Sequence, residues 1–175
     1  MKYMIASDIH GSAWYCRKMM EALEKEQADR LILLGDLLYH GPRNDLPKEY
    51  APKEVIRMLN KEKNRIYNVR GNCDAEVDQM VLEFPVLADY GWMEIDGKTF
   101  YMSHGHIYNE HNLPPLKPGD IFIHSPPRPH AHSGVGTVRG WKSVPESGFR
   151  VDSEGRESAY LCNTGKQPIH HQNIR

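Results

Sequence analysis

Lys2-Tyr3-Met4-Ile5-Ala6-Ser7-Asp8-Ile9-His10-Gly11-Ser12 opens on a short apolar run and stops in a cluster of polar, ligand-bearing side chains. The run reads as a buried strand, and residues 14–27 beyond the cluster carry apolar residues at helical spacing. Strand, polar loop and helix in that order form the unit from which parallel sheets are assembled. The polar loop falls at the strand's carboxyl end, where open α/β sheets place their functional groups.

The same unit recurs. Residues 30–34 form an apolar strand that ends in Gly35-Asp36, and residues 52–61 have helical spacing. Residues 65–69 are a third strand, running into Arg70-Gly71-Asn72-Cys73-Asp74. Such alternation implies right-handed crossovers and a largely parallel sheet. Further on, residues 91–95 and 99–103 flank Asp96-Gly97-Lys98, the turn of a hairpin, and the second of them leads into His104-Gly105-His106. Residues 121–123 are one more buried strand, so the fold class is α/β.

At 175 residues the chain suits one domain with a substantial core. Lys and Arg number 22 against 23 Asp and Glu, a formal net charge of -1, so bulk electrostatics favour neither nucleic acid nor an anionic membrane. A small substrate fits better. The apolar run at the amino terminus is too short for a signal peptide and no later segment reaches the length of a membrane span, so a cytoplasmic location is expected. Cys16, Cys73 and Cys162 form no CxxC pair and are odd in number, which predicts free thiols.

Four polar clusters, each ending an apolar strand, carry the chemistry. Asp8 and His10 are one residue apart, so an extended backbone would put a carboxylate and an imidazole on one side, ready for one metal. Asp36 offers two carboxylate oxygens that can bridge two divalent ions about 3.5–4 Å apart. Asn72 adds a neutral oxygen and His104 a second imidazole, each beside a glycine that permits a tight turn. Taken singly, each has an ordinary structural explanation: a capping Asp, an Asx turn, a loop histidine. Their order and their common place at strand ends make the joint signal strong.

These residues resemble the calcineurin-like metallophosphoesterases, specifically the small bacterial YfcE-like phosphodiesterases. The resemblance rests on Ser7-Asp8-Ile9-His10-Gly11-Ser12, Gly35-Asp36, His40-Gly41-Pro42-Arg43-Asn44 and Val69-Arg70-Gly71-Asn72-Cys73-Asp74, and it spans residues 1–124. It implies an αββα sandwich with parallel-rich central sheets and a cofactor of two divalent ions, manganese or a similar ion. Asp8 and His10 would hold the first ion, Asp36 would bridge, and Asn72 with His104 would hold the second. It implies hydrolysis of a small phosphodiester by in-line attack of a hydroxide that bridges the ions, with Asn72, Cys73 and His104 at the catalytic centre. Many members of the superfamily place a histidine after the asparagine as leaving-group acid. Here that place is Cys73, a poor substitute, which fits a branch that favours activated diesters. Arg43, Asn44 and Arg70 lie near these loops and are candidate phosphate contacts. A homo-oligomer is compatible with the reading.

The chain departs from the family beyond residue 124. The family closes its site with Gly-His-Thr-His and, later, Asn-Pro-Gly-Ser, and neither is present. From residue 125 to 175 apolar periodicity is sparse, and Gly, Pro, Ser, Arg and His are frequent, so this tail reads as irregular. Codons for Arg128-Pro129-His130-Ala131-His132-Ser133-Gly134, read one base later, can spell Gly-His-Thr-His-Ile-Pro. The same shift over residues 146–157 allows Asn-Pro-Gly-Ser-Val-Ser-Ile-Pro-Lys-Gly-Gly. Two motifs recovered in one frame and in order imply a frameshift between residues 124 and 128. If the chain is read as printed, His130 and His132 stand at a spacing that could replace the absent ligands, the alternative being an exposed pair.

A non-catalytic or weakly active metal-binding protein on the same fold is the rival reading, and the intact Asp8, His10, Asp36, Asn72 and His104 weigh against it. No GxGxxG or GxxxxGK[ST] follows any strand, which disfavours a nucleotide-binding flavodoxin-like protein.

Overall fold

The computed structural model describes residues 1–125, 141–143, 159–163 and 171–172. Strands β1 (Lys2–Ala6), β2 (Arg30–Leu33) and β3 (Ile66–Asn68) lie parallel, in the order β3-β2-β1. Helix α1 (Ala13–Lys25) connects the first two, and α2 (Pro52–Lys61) with a single 3-10 turn connects the second two. These are the two crossover units that the sequence pattern predicts. Strands β4 (Tyr90–Ile95), β5 (Lys98–Ser103) and β6 (Ile121–His124) belong to a second sheet.

This second sheet is mixed: β4 and β5 are antiparallel, while β5 and β6 are parallel. The reason is the two-residue turn Asp96-Gly97, where φ values of 50° and 74° give the left-handed pair that a tight hairpin demands. Among the described residues the tail contributes three short strands. β7 (Trp141–Ser143) borders β6, while β8 (Ala159–Asn163) lies antiparallel to β1 and carries β9 (His171–Gln172) at its edge. His130 and His132 lie outside the described residues.

The continuous apolar runs of β1 and β2 are explained by burial on both faces. On one face Met4, Ala6, Leu31 and Leu33 pack with Cys16, Met19 and Leu23 of α1 and with Val55 and Leu59 of α2. On the other, Tyr3, Ile5, Ile32 and Leu34 meet Ile95, Phe100, Met102, Ile121 and Ile123 of the second sheet. Residues alternate between the two cores with the strand period of two. Each large side chain so buried contributes roughly 1.5–3 kcal/mol relative to exposure.

Helix α1 starts where it does because Ser12 caps it. Its Oγ accepts from Tyr15 N at 3.2 Å and donates to the Lys48 carbonyl at 2.6 Å, tying the helix start to the loop before α2. A short helix, α3 (Glu76–Gln79), lies between β3 and β4 and is absent from the sequence reading, since four residues carry no periodic signal. Among the described residues no helix is long and apolar enough to cross a membrane. Cys16 and Cys73 are free thiols, as the sequence predicts, whereas the side chain of Cys162 lies outside the described residues.

Candidate metal centre

The loops after β1 and β2 are laced together. Asp8 N donates to Gly35 O at 3.0 Å, His10 N to Asp36 O at 2.8 Å and Gly11 N to Leu37 O at 2.9 Å. Each loop therefore fixes the other. The backbone at Asp8, His10 and Asp36 is left-handed, with φ of 59°, 49° and 57°. The extended Asp-x-His geometry expected from sequence is thus replaced by two left-handed residues around Ile9, whose side chain is 1% exposed in the core. The consequence is the one expected: Asp8 and His10 both face the site. Left-handed geometry at three non-glycine residues costs of order 1–3 kcal/mol each, and the interlocked loops hold it.

Asp36 sits at the centre. Its Oδ2 is 3.6 Å from His10 Nε2 and 3.5 Å from His104 Nε2, and its Oδ1 accepts from Cys73 N at 2.8 Å. His10 Nε2 also lies 3.5 Å from Asp8 Oδ1, and His104 Nε2 lies 3.1 Å from Asn72 Oδ1. The structure thus brings all five sequence-predicted ligands to one place. The close sets are Asp8, Asp36 and His104, and His10, Asp36 and Cys73, each with donor atoms within 4.8 Å of one another. Asp8 therefore lies within reach of His104 as well as beside its sequence neighbour His10.

The hydrogen bonds behind the imidazoles decide what they present. His10 Nδ1 lies 2.8 Å from the Tyr39 carbonyl and His104 Nδ1 lies 2.7 Å from the Leu34 carbonyl. A carbonyl only accepts, so in the neutral rings each Nδ1 carries the proton and each Nε2 presents a bare lone pair. Asn72 turns its amide nitrogen to Cys73 Sγ at 3.2 Å, which leaves its oxygen facing His104. Lone pairs from two imidazoles, two carboxylates and an amide oxygen converge with no proton between them. This donor set fits divalent cations, and the carbonyl partners are the outer support that metal-binding histidines ordinarily have.

Without a metal, a proton on His10 serves where a cation otherwise would. Burial alone would raise the Asp8 carboxyl, but the hydrogen bond from His10, the charge of His104 and the Ser7 hydroxyl outweigh it, and the group stays ionised well below the usual carboxylate range. Burial would lower His10, yet the bond to Asp8, the Tyr39 carbonyl and the charges of Asp36 and Asp8 raise it. Burial, reinforced by the Asp36 charge and hydrogen bond, pushes the Cys73 thiol up to about 12.

Two supports were not assigned roles from sequence. The Asp74 carboxylate accepts from Asp36 N at 2.8 Å, Leu37 N at 2.9 Å and Gly71 N at 2.7 Å, so it clamps the second and third loops together. Burial raises the pKa of the Asp74 carboxyl, and the three backbone bonds oppose that rise. Ser125, just past β6, donates its hydroxyl to Asp8 Oδ2 at 2.9 Å. Asp74 stands in a quoted motif and only its contacts reveal its task, while no local signal marks Ser125. Of the candidate phosphate contacts, Arg43 is exposed, Asn44 donates to the His40 carbonyl at 2.8 Å, and Arg70 is ion-paired with Asp89 at 2.6 Å.

Strand-end loops that gather two carboxylates, two imidazoles and an amide on one face of a layered α/β fold are the frame of a phosphoesterase, and the calcineurin-like phosphoesterase superfamily domain matches residues 1–119. The chain belongs to this superfamily, a family of phosphoesterase enzymes. It is 41% identical to the phosphodiesterase YfcE of Escherichia coli K12 over 140 residues, covering 80% of this chain and 74% of that protein, and the match to YfcE of Escherichia coli O157:H7 has the same extent. A solved structure of YfcE, described as a phosphoesterase from E. coli, superposes with a TM-score of 0.76 at 32% identity, covering 100% of both chains.

Proposed function

We propose that this protein is a metal-dependent phosphodiesterase whose cofactor is two divalent ions, manganese being the ion we favour. Asp8 and His10 hold one ion, Asn72 and His104 the other, and Asp36 is shared. The observation that carries the reading is the approach of two imidazole Nε2 atoms to the same Asp36 oxygen, at 3.6 and 3.5 Å, each ring pinned from behind by a backbone carbonyl. When bound, two such ions would lower the pKa of a water and neutralise the charge that develops on the equatorial phosphoryl oxygens during an in-line displacement.

The chain's own residues do the positioning. Cys73 N and the Asp74 clamp fix the Asp36 carboxylate from outside the ligand set. The Cys73 thiol, held near 12, is a weak acid for a departing alkoxide, so substrates whose leaving group needs no proton are favoured. The exposed Arg43 and the tethered Asn44 are the phosphate contacts we propose, with Arg70 reaching substrate only by leaving Asp89. YfcE is named a phosphodiesterase, and a small phosphodiester is the substrate class we assign to this protein.

We read residues 125–175 as out of frame with residues 1–124. The 41% identity to YfcE extends over 80% of this chain and leaves the remainder unmatched. Ser125 donates to Asp8 where the family would continue into its last ligands. The test is hydrolysis of a chromogenic phosphodiester with added manganese, comparing the printed chain with one whose tail is restored to the shifted frame. Activity in the restored chain alone supports both readings. Activity in both removes the need for a repaired tail, and activity in neither favours a non-catalytic metal-binding protein. A gene sequence whose shifted frame cannot encode Gly-His-Thr-His would end the frameshift reading.

A further inference from the structure

Cys73 stands where it meets more than solvent. Its backbone N–H is bonded to Asp36 Oδ1 at 2.8 Å, so the residue cannot swing away from the site. Its Sγ accepts from Asn72 Nδ2 at 3.2 Å, and it lies within 4.8 Å of ligand atoms of His10 and Asp36, with those atoms equally close to each other. Three donors of three kinds, sulfur, imidazole nitrogen and carboxylate oxygen, therefore converge from three separate loops. His10 has only Nε2 to offer, because its Nδ1 is engaged by Tyr39.

We propose that His10, Asp36 and Cys73 form a thiophilic metal site overlapping the oxygen-rich one, so that a soft or borderline ion such as zinc or cadmium binds through sulfur and excludes manganese. The inference rests on the reading of His10 and Asp36 as metal ligands. Hard manganese prefers carboxylate, carbonyl and imidazole, whereas zinc and cadmium gain from thiolate. A four-coordinate ion about 2.0–2.3 Å from its ligands needs donors roughly 3.5 Å apart, so the Cys73 thiol must close in by rotation about its own Cα–Cβ bond while its backbone N–H stays on Asp36. On binding, the S–H bond breaks, the proton passes to buffer, and a sulfur–metal bond forms without change of oxidation state. Cys73 would then set which ion the protein retains, and zinc would act as an inhibitor by occupying the ligands manganese needs.

The experiment is titration of the metal-free, reduced full chain with cadmium or cobalt(II), following the sulfur-to-metal charge-transfer absorbance that oxygen and nitrogen ligands do not give. A band that saturates with one equivalent, disappears in Cys73→Ser and persists in Cys16→Ser and Cys162→Ser is expected. Cadmium affinity should fall about tenfold or more in Cys73→Ser, and manganese should compete for the site. Mass-spectrometric alkylation of the wild-type chain gives an independent readout, since cadmium should shield Cys73 from the reagent. Absence of the band in a chain that hydrolyses with manganese would overturn the soft site and leave the phosphodiesterase reading standing. A Cys73-dependent band in a chain inert with manganese would support the soft site and count against the hydrolase, and a band surviving Cys73→Ser would overturn the inference.

Discussion

Replacing Gly71 by alanine tests how the site holds its central carboxylate. A Cβ built on Gly71 falls 2.0 Å from Asp36 Oδ1 and 2.4 Å from Asp36 N. An ordinary contact needs roughly 3.5 Å, so either the carboxylate or the third loop must retreat by more than about 1 Å. Neither can do so freely, because Asp74 bonds Gly71 N and Asp36 N through one oxygen and Cys73 N holds Asp36 Oδ1. Overpacking of this kind costs about 1–3 kcal/mol of stability. A 1 Å misplacement of a positioned group costs on the order of a hundredfold in rate. Gly71→Ala should therefore lose about a hundredfold in manganese-dependent hydrolysis and at least tenfold in manganese affinity, measured by isothermal titration, while still melting cooperatively. Gly97→Ala is the control: Gly97 has φ of 74° but nothing within 4 Å of the added carbon. It should lose about 1 kcal/mol and no activity. A Gly71→Ala protein with unaltered metal affinity and rate would refute the idea that close approach of the two loops sets the Asp36 position.

Removing a ligand should act more bluntly: Asp36→Asn and His104→Ala are each expected to abolish measurable manganese binding at the shared position, read by equilibrium dialysis, and retained binding would exclude that residue from the ligand set. His10, whose pKa lies above the ordinary histidine value, gives the pH dependence a definite sign. In the metal-free protein the protonated ring contributes stability that is complete below about pH 6.5 and lost as pH rises through the folded value. Metal needs the neutral ring, so the thermal stabilisation given by manganese should grow with pH and reach half its full extent above about pH 6.5; a pH-independent increment would contradict the assignment. Ser12→Ala removes a cap that also ties α1 to Lys48, and denaturant melts should show a loss of about 1–2 kcal/mol.

What sequence alone settled was everything carried by local periodicity. Buried strands on two-sided sheets must be apolar throughout, and amphipathic helices must repeat near 3.6 residues, so β1, α1, β2 and α2 are legible in the sequence. The hairpin was legible because Asp96-Gly97 is one of few dipeptides at ease with two positive φ angles. The candidate ligands were legible because four chemically distinctive clusters each end a strand, and the packing of two sheets against each other brings those ends to one place. The tertiary structure decided how they meet. Asp8 and His10 face the site through left-handed backbone rather than an extended strand, because hydrogen bonds to the Asp36 loop over-determine both residues. The imidazole tautomers depend on carbonyls of Tyr39 and Leu34, 29 and 70 residues away, and no window of sequence contains both partners. The same holds for Ser125 on Asp8, which are 117 residues apart. Nor could spacing place Cys73 among the donors of His10 and Asp36, since that juxtaposition exists only once three loops from two crossover units have closed around one carboxylate.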